Sequence, residues 1–280
     1  MKQIAALLIS AAMLASCVTA ETASLPTLQP GDDYVALGSS FAAGAGIGAL
    51  QPGSPERCGR TVNNYASLLA ARLRLDLTDA SCGGAMTQHL LGPWSELPPQ
   101  LDAVTADTDL VTITIGGNDL DYVRNLFVAS CAMGKFGTPV DQCPATMLPS
   151  DSDYAEVKGR LTAVVDTIRA RAPGGRIAFV QYVTLVPETP CDAVPLRAED
   201  AADMRALGRR LADITRQVAT ETGSLLIESD KASVGHTACD AEPWSYAMAS
   251  GMQQAEGSPW HPNARGHEVI ADMLQNILGG

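Results

Sequence analysis

The chain has 280 residues, 46% of them hydrophobic and 18% charged, with 31 acidic against 19 basic side chains and a formal net charge of -12. That is enough apolar chain for one sizeable core, and it is not the composition of a disordered or collagen-like polymer. The acidic balance argues against a nucleic-acid binder, which relies on Lys and Arg to neutralise phosphates.

The first apolar run, from Ile4 to Ser16, is too short to span a bilayer comfortably and ends in small residues, as the core of an export signal does. Its end, Leu14, Ala15, Ser16 and Cys17, resembles the lipobox of bacterial lipoproteins. The resemblance implies a signal peptide over 1–16, removed in the mature protein, and a lipid on Cys17 that attaches the protein to the cell envelope. A plain secretory signal that happens to contain a Cys is the alternative. Val18 to Asp32 is polar, small and Pro-containing with no apolar period, so residues 17–32 read as lipidated Cys and flexible tether. The folded domain is expected over 33–280, exported and monomeric.

Setting Cys17 aside leaves Cys58, Cys82, Cys131, Cys143, Cys191 and Cys239. In an oxidising compartment these should pair, although six cysteines permit many connectivities and spacing does not choose among them. Zinc is the rival reading, but no Cys pair has CxxC spacing.

In chain order, Asp33 to Leu37 is a short apolar run stopped by Gly38 and predicts a buried strand. Asn64 to Leu73 has helical character, and Leu75 to Ser81 a second strand. Asp109 to Ile115, ended by Gly116 and Gly117, is the clearest strand. Tyr154, Val157, Leu161, Val164 and Ile168 recur at helical spacing until Pro173. Arg176 to Val186 contains a fourth strand. Met204, Leu207, Leu211, Ile214 and Val218 mark another helix, closed by Gly223 before the strand Ser224 to Glu228. A last helix follows Pro262, with Ile270, Leu274 and Ile277 on one face. Strands separated by helices pair in parallel through right-handed crossovers, which predicts an α/β fold, a three-layer α/β/α sandwich with a central parallel sheet. In such sheets functional groups collect beyond the carboxyl ends of the strands.

Four segments fall at those places: Gly38, Ser39, Ser40 and Phe41; Cys82, Gly83, Gly84 and Ala85; Gly116, Gly117, Asn118 and Asp119; and Ser258, Pro259, Trp260, His261, Pro262 and Asn263. Together, and in order from about Tyr34 to the C-terminus, they resemble the SGNH or GDSL-type esterases and lipases. The resemblance implies a serine carboxylester hydrolase that needs no cofactor and no metal, with Ser40 as nucleophile and His261 as base. Ser39, which fills the position of Asp in the family's Gly-Asp-Ser form, is the competing nucleophile. The implied oxyanion donors are the backbone N–H groups of Ser40 and Gly84 and the side-chain amide of Asn118. Each suits the task, since Gly lets a carbonyl approach its N–H and Asn offers a neutral donor.

A serine hydroxyl needs a base within hydrogen-bond reach. His261 is set apart from His89, His236 and His267 by its flanks, because Pro262 and Asn263 would start the last helix and hold the ring on a rigid element. A helix start disfavours a positive charge by about 0.3–1 kcal/mol, so the imidazole should rest neutral. The family commonly places Asp three residues before this His, where the chain has Ser258, so a Ser-His dyad is expected, oriented by the hydroxyl or carbonyl of Ser258. Nothing in the spacing favours Glu256 as a substitute.

Within the family the chain looks most like the secreted lipases and esterases with three disulfides. That implies sequential pairing of Cys58 with Cys82, Cys131 with Cys143 and Cys191 with Cys239, the first bracing the oxyanion loop and the others pinning long insertions from about Leu120 to Ser150 and Pro187 to Glu199. Phe41, Trp94, Phe127, Met248, Met252 and Trp260 are candidates for an acyl pocket or for ordinary packing. The expected substrate is an acyl ester of a lipid or a small alcohol. An acetylated sugar and a non-catalytic envelope lipoprotein with a binding role are the alternatives. Gly44, Gly46, Gly48 and Ala49 fit a dinucleotide fingerprint on paper, but Pro52, Gly53 and Pro55 cannot open the required helix. The chain has no G-x-S-x-G elbow, Walker A or HExxH sequence.

Overall fold

The computed structural model describes residues 27–135, 137–248 and 257–279. The proposed signal, Cys17, Met252 and Glu256 lie outside them. The elements in chain order are β1 (Asp33–Gly38), α1 (Ser40–Ala43), α2 (Tyr65–Leu73), β2 (Asp76–Asp79), α3 (Gln88–Leu91), β3 (Thr108–Thr114), α4 (Tyr122–Ala132), α5 (Asp151–Arg171), β4 (Arg176–Val180), α6 (Ala198–Thr222), β5 (Leu225–Ile227), α7 (Ser229–Ala232) and α8 (Ala264–Leu278). Among the described residues no helix is long and apolar enough to cross a membrane.

The five strands form one parallel sheet in the order β2-β1-β3-β4-β5. The order reverses at β1, so right-handed crossovers place α2 on one face and α5 and α6 on the other. Helix packing agrees, with α2 against α8 and α5 against α6. A sheet covered on both faces needs strands that are apolar throughout. β4 comes close, since all five of its residues are buried and the four after Arg176 are apolar. β3 carries threonines in the core and satisfies two of them: Thr112 with the Tyr34 hydroxyl at 2.7 Å and Thr114 with the Tyr65 hydroxyl at 2.8 Å.

Several expectations from sequence need correction. β2 ends at Asp79 rather than Ser81; the fourth strand does lie within Arg176 to Val186, as β4, and ends at Val180, leaving Tyr182 to Val186 as largely buried loop. The supposed insertion from Leu120 to Ser150 begins with α4, whose turns bury Leu126, Val128 and Ala129. On α8 the buried face runs through His267, Ile270, Ala271, Leu274 and Leu278, whereas Ile277 is 49% exposed. The 3.6-residue period carries the stripe from Leu274 to Leu278, and Ile277 falls to its side.

His267 locks α8 to α2. Its Nδ1 accepts the N–H of Tyr65 at 3.1 Å, a first-turn amide that α2 cannot satisfy itself. The proton therefore sits on Nε2, which is buried without a partner among the described residues. Burial holds this imidazole far below its ordinary pKa of 6.5, at about 3. Between those values the unfolded chain binds the proton and the folded chain does not, so stability is lost as pH falls through that window. The urea midpoint should drop between pH 7 and pH 4.5 by the equivalent of roughly 2.5 kcal/mol from this residue. In His267→Gln, whose carbonyl can still accept from Tyr65, the drop should be visibly smaller; equal drops in both proteins refute the assignment.

Candidate active site

Ser39 and Ser40 follow β1 directly, and their side chains diverge. Ser39 is 1% exposed and its Oγ meets the Tyr182 hydroxyl at 3.1 Å, so it is closed to solvent. Ser40 opens α1 and is half-buried. Its Oγ lies 2.8 Å from Nε2 of His261, a contact across 221 positions of sequence. Of the two competing hydroxyls, only that of Ser40 meets the imidazole.

The other ring nitrogen settles the tautomer. His261 Nδ1 lies 2.7 Å from the carbonyl oxygen of Pro259. A carbonyl only accepts, so Nδ1 carries the proton and Nε2 offers its lone pair to the Ser40 hydroxyl. The expected partner, Ser258, is not the acceptor; the carbonyl belongs to the next residue. The cause is local backbone geometry. Trp260 has φ of +59°, a left-handed conformation uncommon for a large side chain, and the turn brings the Pro259 carbonyl back beneath the ring two residues on. Trp260 is fully buried, and flanking bonds hold the turn, Trp260 N–H to the Tyr246 carbonyl at 3.1 Å and Tyr246 N–H to the His261 carbonyl at 2.9 Å. The Cys191–Cys239 bridge ties the preceding chain to the connection after β4.

Burial pulls the His261 pKa down from 6.5 to about 4, with the Pro259 hydrogen bond acting weakly in the opposite direction. The ring rests neutral, as the sequence suggested, but enclosure is the principal cause rather than the field of the following helix.

The three expected oxyanion groups stand on neighbouring loops. Cys82 donates its N–H to the Gly38 carbonyl at 3.0 Å, and Gly83 to the Cys58 carbonyl at 2.9 Å. The Cys58–Cys82 bridge closes the same loop. Gly84 follows with φ of +81°, a backbone state glycine adopts freely, and is exposed. Among the described residues the N–H groups of Ser40 and Gly84 have no protein acceptor. Asn118 donates one amide hydrogen to the Ala85 carbonyl at 2.9 Å, which aims the group and leaves its second hydrogen uncommitted. The Asp119 carboxylate accepts from the Thr87 N–H at 3.0 Å and the Thr87 hydroxyl at 2.5 Å, so the loops after β2 and β3 are joined twice.

The candidates for an acyl pocket are mostly core. Phe41, Met248 and Trp260 are 2%, 2% and 0% exposed, while Trp94 and Phe127 are partly buried. His89, on α3, and His236, in a loop, are stacked on Trp94 and Trp244. The Pro259 carbonyl escaped sequence reasoning because a main-chain atom carries no residue signature. Thr87 and Asp119 were visible, but nothing in spacing links them.

The family model described as GDSL-like Lipase/Acylhydrolase matches residues 36–269. The chain belongs to this family. Lipase 2 of Streptomyces coelicolor is 34% identical to it over 276 residues, covering 95% of this chain and 90% of that protein. An esterase of Streptomyces scabiei is 29% identical, with 96% and 94% covered. The crystal structure of an extracellular lipase from Streptomyces rimosus has a TM-score of 0.69 at 25% identity, covering 88% of this chain and 99% of the other. The protein is thus a serine ester hydrolase of lipase or esterase type, and its bridges Cys58–Cys82, Cys131–Cys143 and Cys191–Cys239 fit the three-disulfide subgroup.

The first bridge closes the loop that carries Gly84 and the second does not, which separates their expected effects. Replacing Cys58 and Cys82 by Ser should lower stability by about 3 kcal/mol for a closed loop of 24 residues and also reduce kcat on a small ester. Replacing Cys131 and Cys143 should lower stability by a similar amount and leave kcat within about twofold. Equal kcat losses would show that the first bridge has no special bearing on the site.

Proposed function

We propose that the protein hydrolyses carboxylic esters through a Ser40-His261 dyad oriented by the Pro259 carbonyl. The 2.8 Å contact between Ser40 Oγ and His261 Nε2 carries this reading. The Ser40 oxygen attacks the ester carbonyl carbon while its proton passes to Nε2. The resulting oxyanion is held by the N–H groups of Ser40 and Gly84 and the free amide hydrogen of Asn118, each worth roughly 10²–10³ in rate for a well-placed donor. The imidazolium then gives its proton to the departing alcohol. Water, deprotonated by the same Nε2, releases the acid from Ser40.

A neutral carbonyl on Nδ1 stabilises the transient imidazolium less than a carboxylate would. It also leaves the resting ring unprotonated far into acid. Enzymic turnover should therefore vanish, falling by about 10³-fold or more, in both Ser40→Ala and His261→Ala. In the wild type, kcat/KM should fall on acidification only with an inflection near the His261 value of about 4. Wild-type turnover in either variant, or an inflection at the ordinary 6.5, would overturn the dyad.

The substrate class is an acyl ester of a lipid or a small alcohol, in keeping with relatives that include lipases and an esterase. A series of p-nitrophenyl esters of increasing chain length ranks the two. The protein acts outside the cytoplasm, consistent with its three disulfides. Residues 1–16 are its signal peptide, Cys17 its lipid anchor, and residues 33–280 its catalytic domain. Cys17→Ala should release the protein from membranes; unchanged membrane association would refute the anchor.

A further inference from the structure

One buried side chain touches two of the three loops that carry the oxyanion groups, and the mechanism above does not use it. Tyr182 lies just past β4, 6% exposed. Its hydroxyl accepts the N–H of Gly117 at 3.1 Å and lies 3.1 Å from Ser39 Oγ. Ser39 immediately precedes Ser40, and Gly117 immediately precedes Asn118. Burial pushes the phenol up to about 12, so it keeps its proton at neutral pH. With Gly117 donating to the phenol oxygen, the phenolic O–H is left to donate to Ser39 Oγ.

The ring is fitted as closely as the hydroxyl. A Cβ on Gly117 would stand 2.8 Å from the phenol ring and hydroxyl, so only glycine lets the loop after β3 come this near. Another contact sets the ring against Phe41 at 4.2 Å between centroids, and Phe41 in turn lies 4.9 Å from His261. β1 and β3 are adjacent in the sheet, but their ladder ends at Gly38 and Thr114. Past that point one backbone bond remains, Ser39 N–H to the Thr114 carbonyl at 3.0 Å, and the Tyr182 hydroxyl joins Ser39 to Gly117, three residues further along the second turn.

We propose that Tyr182 is a positioning residue for ester hydrolysis, its single hydroxyl fixing the spacing between the Ser40 N–H and the Asn118 amide by holding the residue before each. This inference rests on the Ser40-His261 reading. Donors act when they lie about 2.7–3.1 Å from the developing oxyanion, so a bridge loosened enough to move one of them out of that range should show in the chemical step rather than in ground-state binding.

The test measures kcat, KM and thermal unfolding with p-nitrophenyl butyrate for wild type, Tyr182→Phe, Ser39→Ala and the double variant, with Ser40→Ala as reference. Tyr182→Phe keeps the ring and removes the bridge. Its kcat should fall by about tenfold, with KM changed less than about twofold and the acid inflection of the pH profile unmoved, because the His261 contacts remain. Ser39→Ala should lose less, and the double variant should be no slower than Tyr182→Phe, since both substitutions break the same bond. A Tyr182→Phe protein that folds and keeps kcat within about twofold, a loss confined to KM, or losses that multiply would each overturn the proposal. Should Tyr182→Phe not fold, Ser39→Ala decides: a kcat loss of about threefold or more at constant KM supports the bridge, and a smaller one overturns it. Turnover surviving in Ser40→Ala would instead remove the dyad on which the inference rests.

Discussion

A neutral imidazole has one proton for two nitrogens, and the face it turns to the serine depends on where that proton is held. Here the Pro259 carbonyl claims it at Nδ1, 2.7 Å away, and leaves the Nε2 lone pair opposite Ser40 Oγ. The rest of the structure near His261 serves that one assignment. Trp260 must stay in a left-handed turn, which its complete burial and the bonds to Tyr246 enforce. Asn263 caps α8 by accepting the N–H of Gly266 at 2.8 Å, so the turn stands on a helix with a fixed start.

Using a carbonyl instead of a carboxylate changes the electrostatics without changing the geometry. A buried aspartate would bring a full charge that raises the base's proton affinity, whereas the carbonyl dipole is too weak to offset burial. The ring is consequently held neutral, and in the proposed mechanism catalysis leans on the donors around the oxyanion rather than on the imidazolium's partner.

Those donors sit on loops that no strand ladder holds together, and the fold compensates with a mesh of single bonds. Buried Gln100 pairs both with the N–H of Gly38, at 2.8 Å, and with its carbonyl, at 2.9 Å, at the last residue of β1. Cys82 bonds to that same carbonyl, Asn118 to Ala85, and Asp119 to Thr87. Each is a polar group removed from water and satisfied on the spot, which makes the rim rigid because any displacement leaves a buried group unpaired.

The alternating periods of the chain were enough to determine an α/β sandwich, since strands such as Asp109 to Ile115 and helices such as Tyr154 to Ile168 are local patterns read within a dozen residues. Motif residues also carry their chemistry in their type, so Ser40, Gly84, Asn118 and His261 were legible as candidates. Boundaries were less so. Where the fourth strand stops within Arg176 to Val186 is not legible, because burial in a loop and burial in a sheet select the same apolar residues, and α4 is short with Arg124 and Asn125 interrupting its apolar run. What only the tertiary structure decided was how the candidates meet. Ser39 and Ser40 are chemically alike, and the choice between them rests on which one faces Tyr182 and which faces an imidazole 221 residues away. The partner of His261 is a backbone oxygen, which every residue possesses and no sequence distinguishes; its selection comes from the hand of one turn, fixed by the packing of the indole within it.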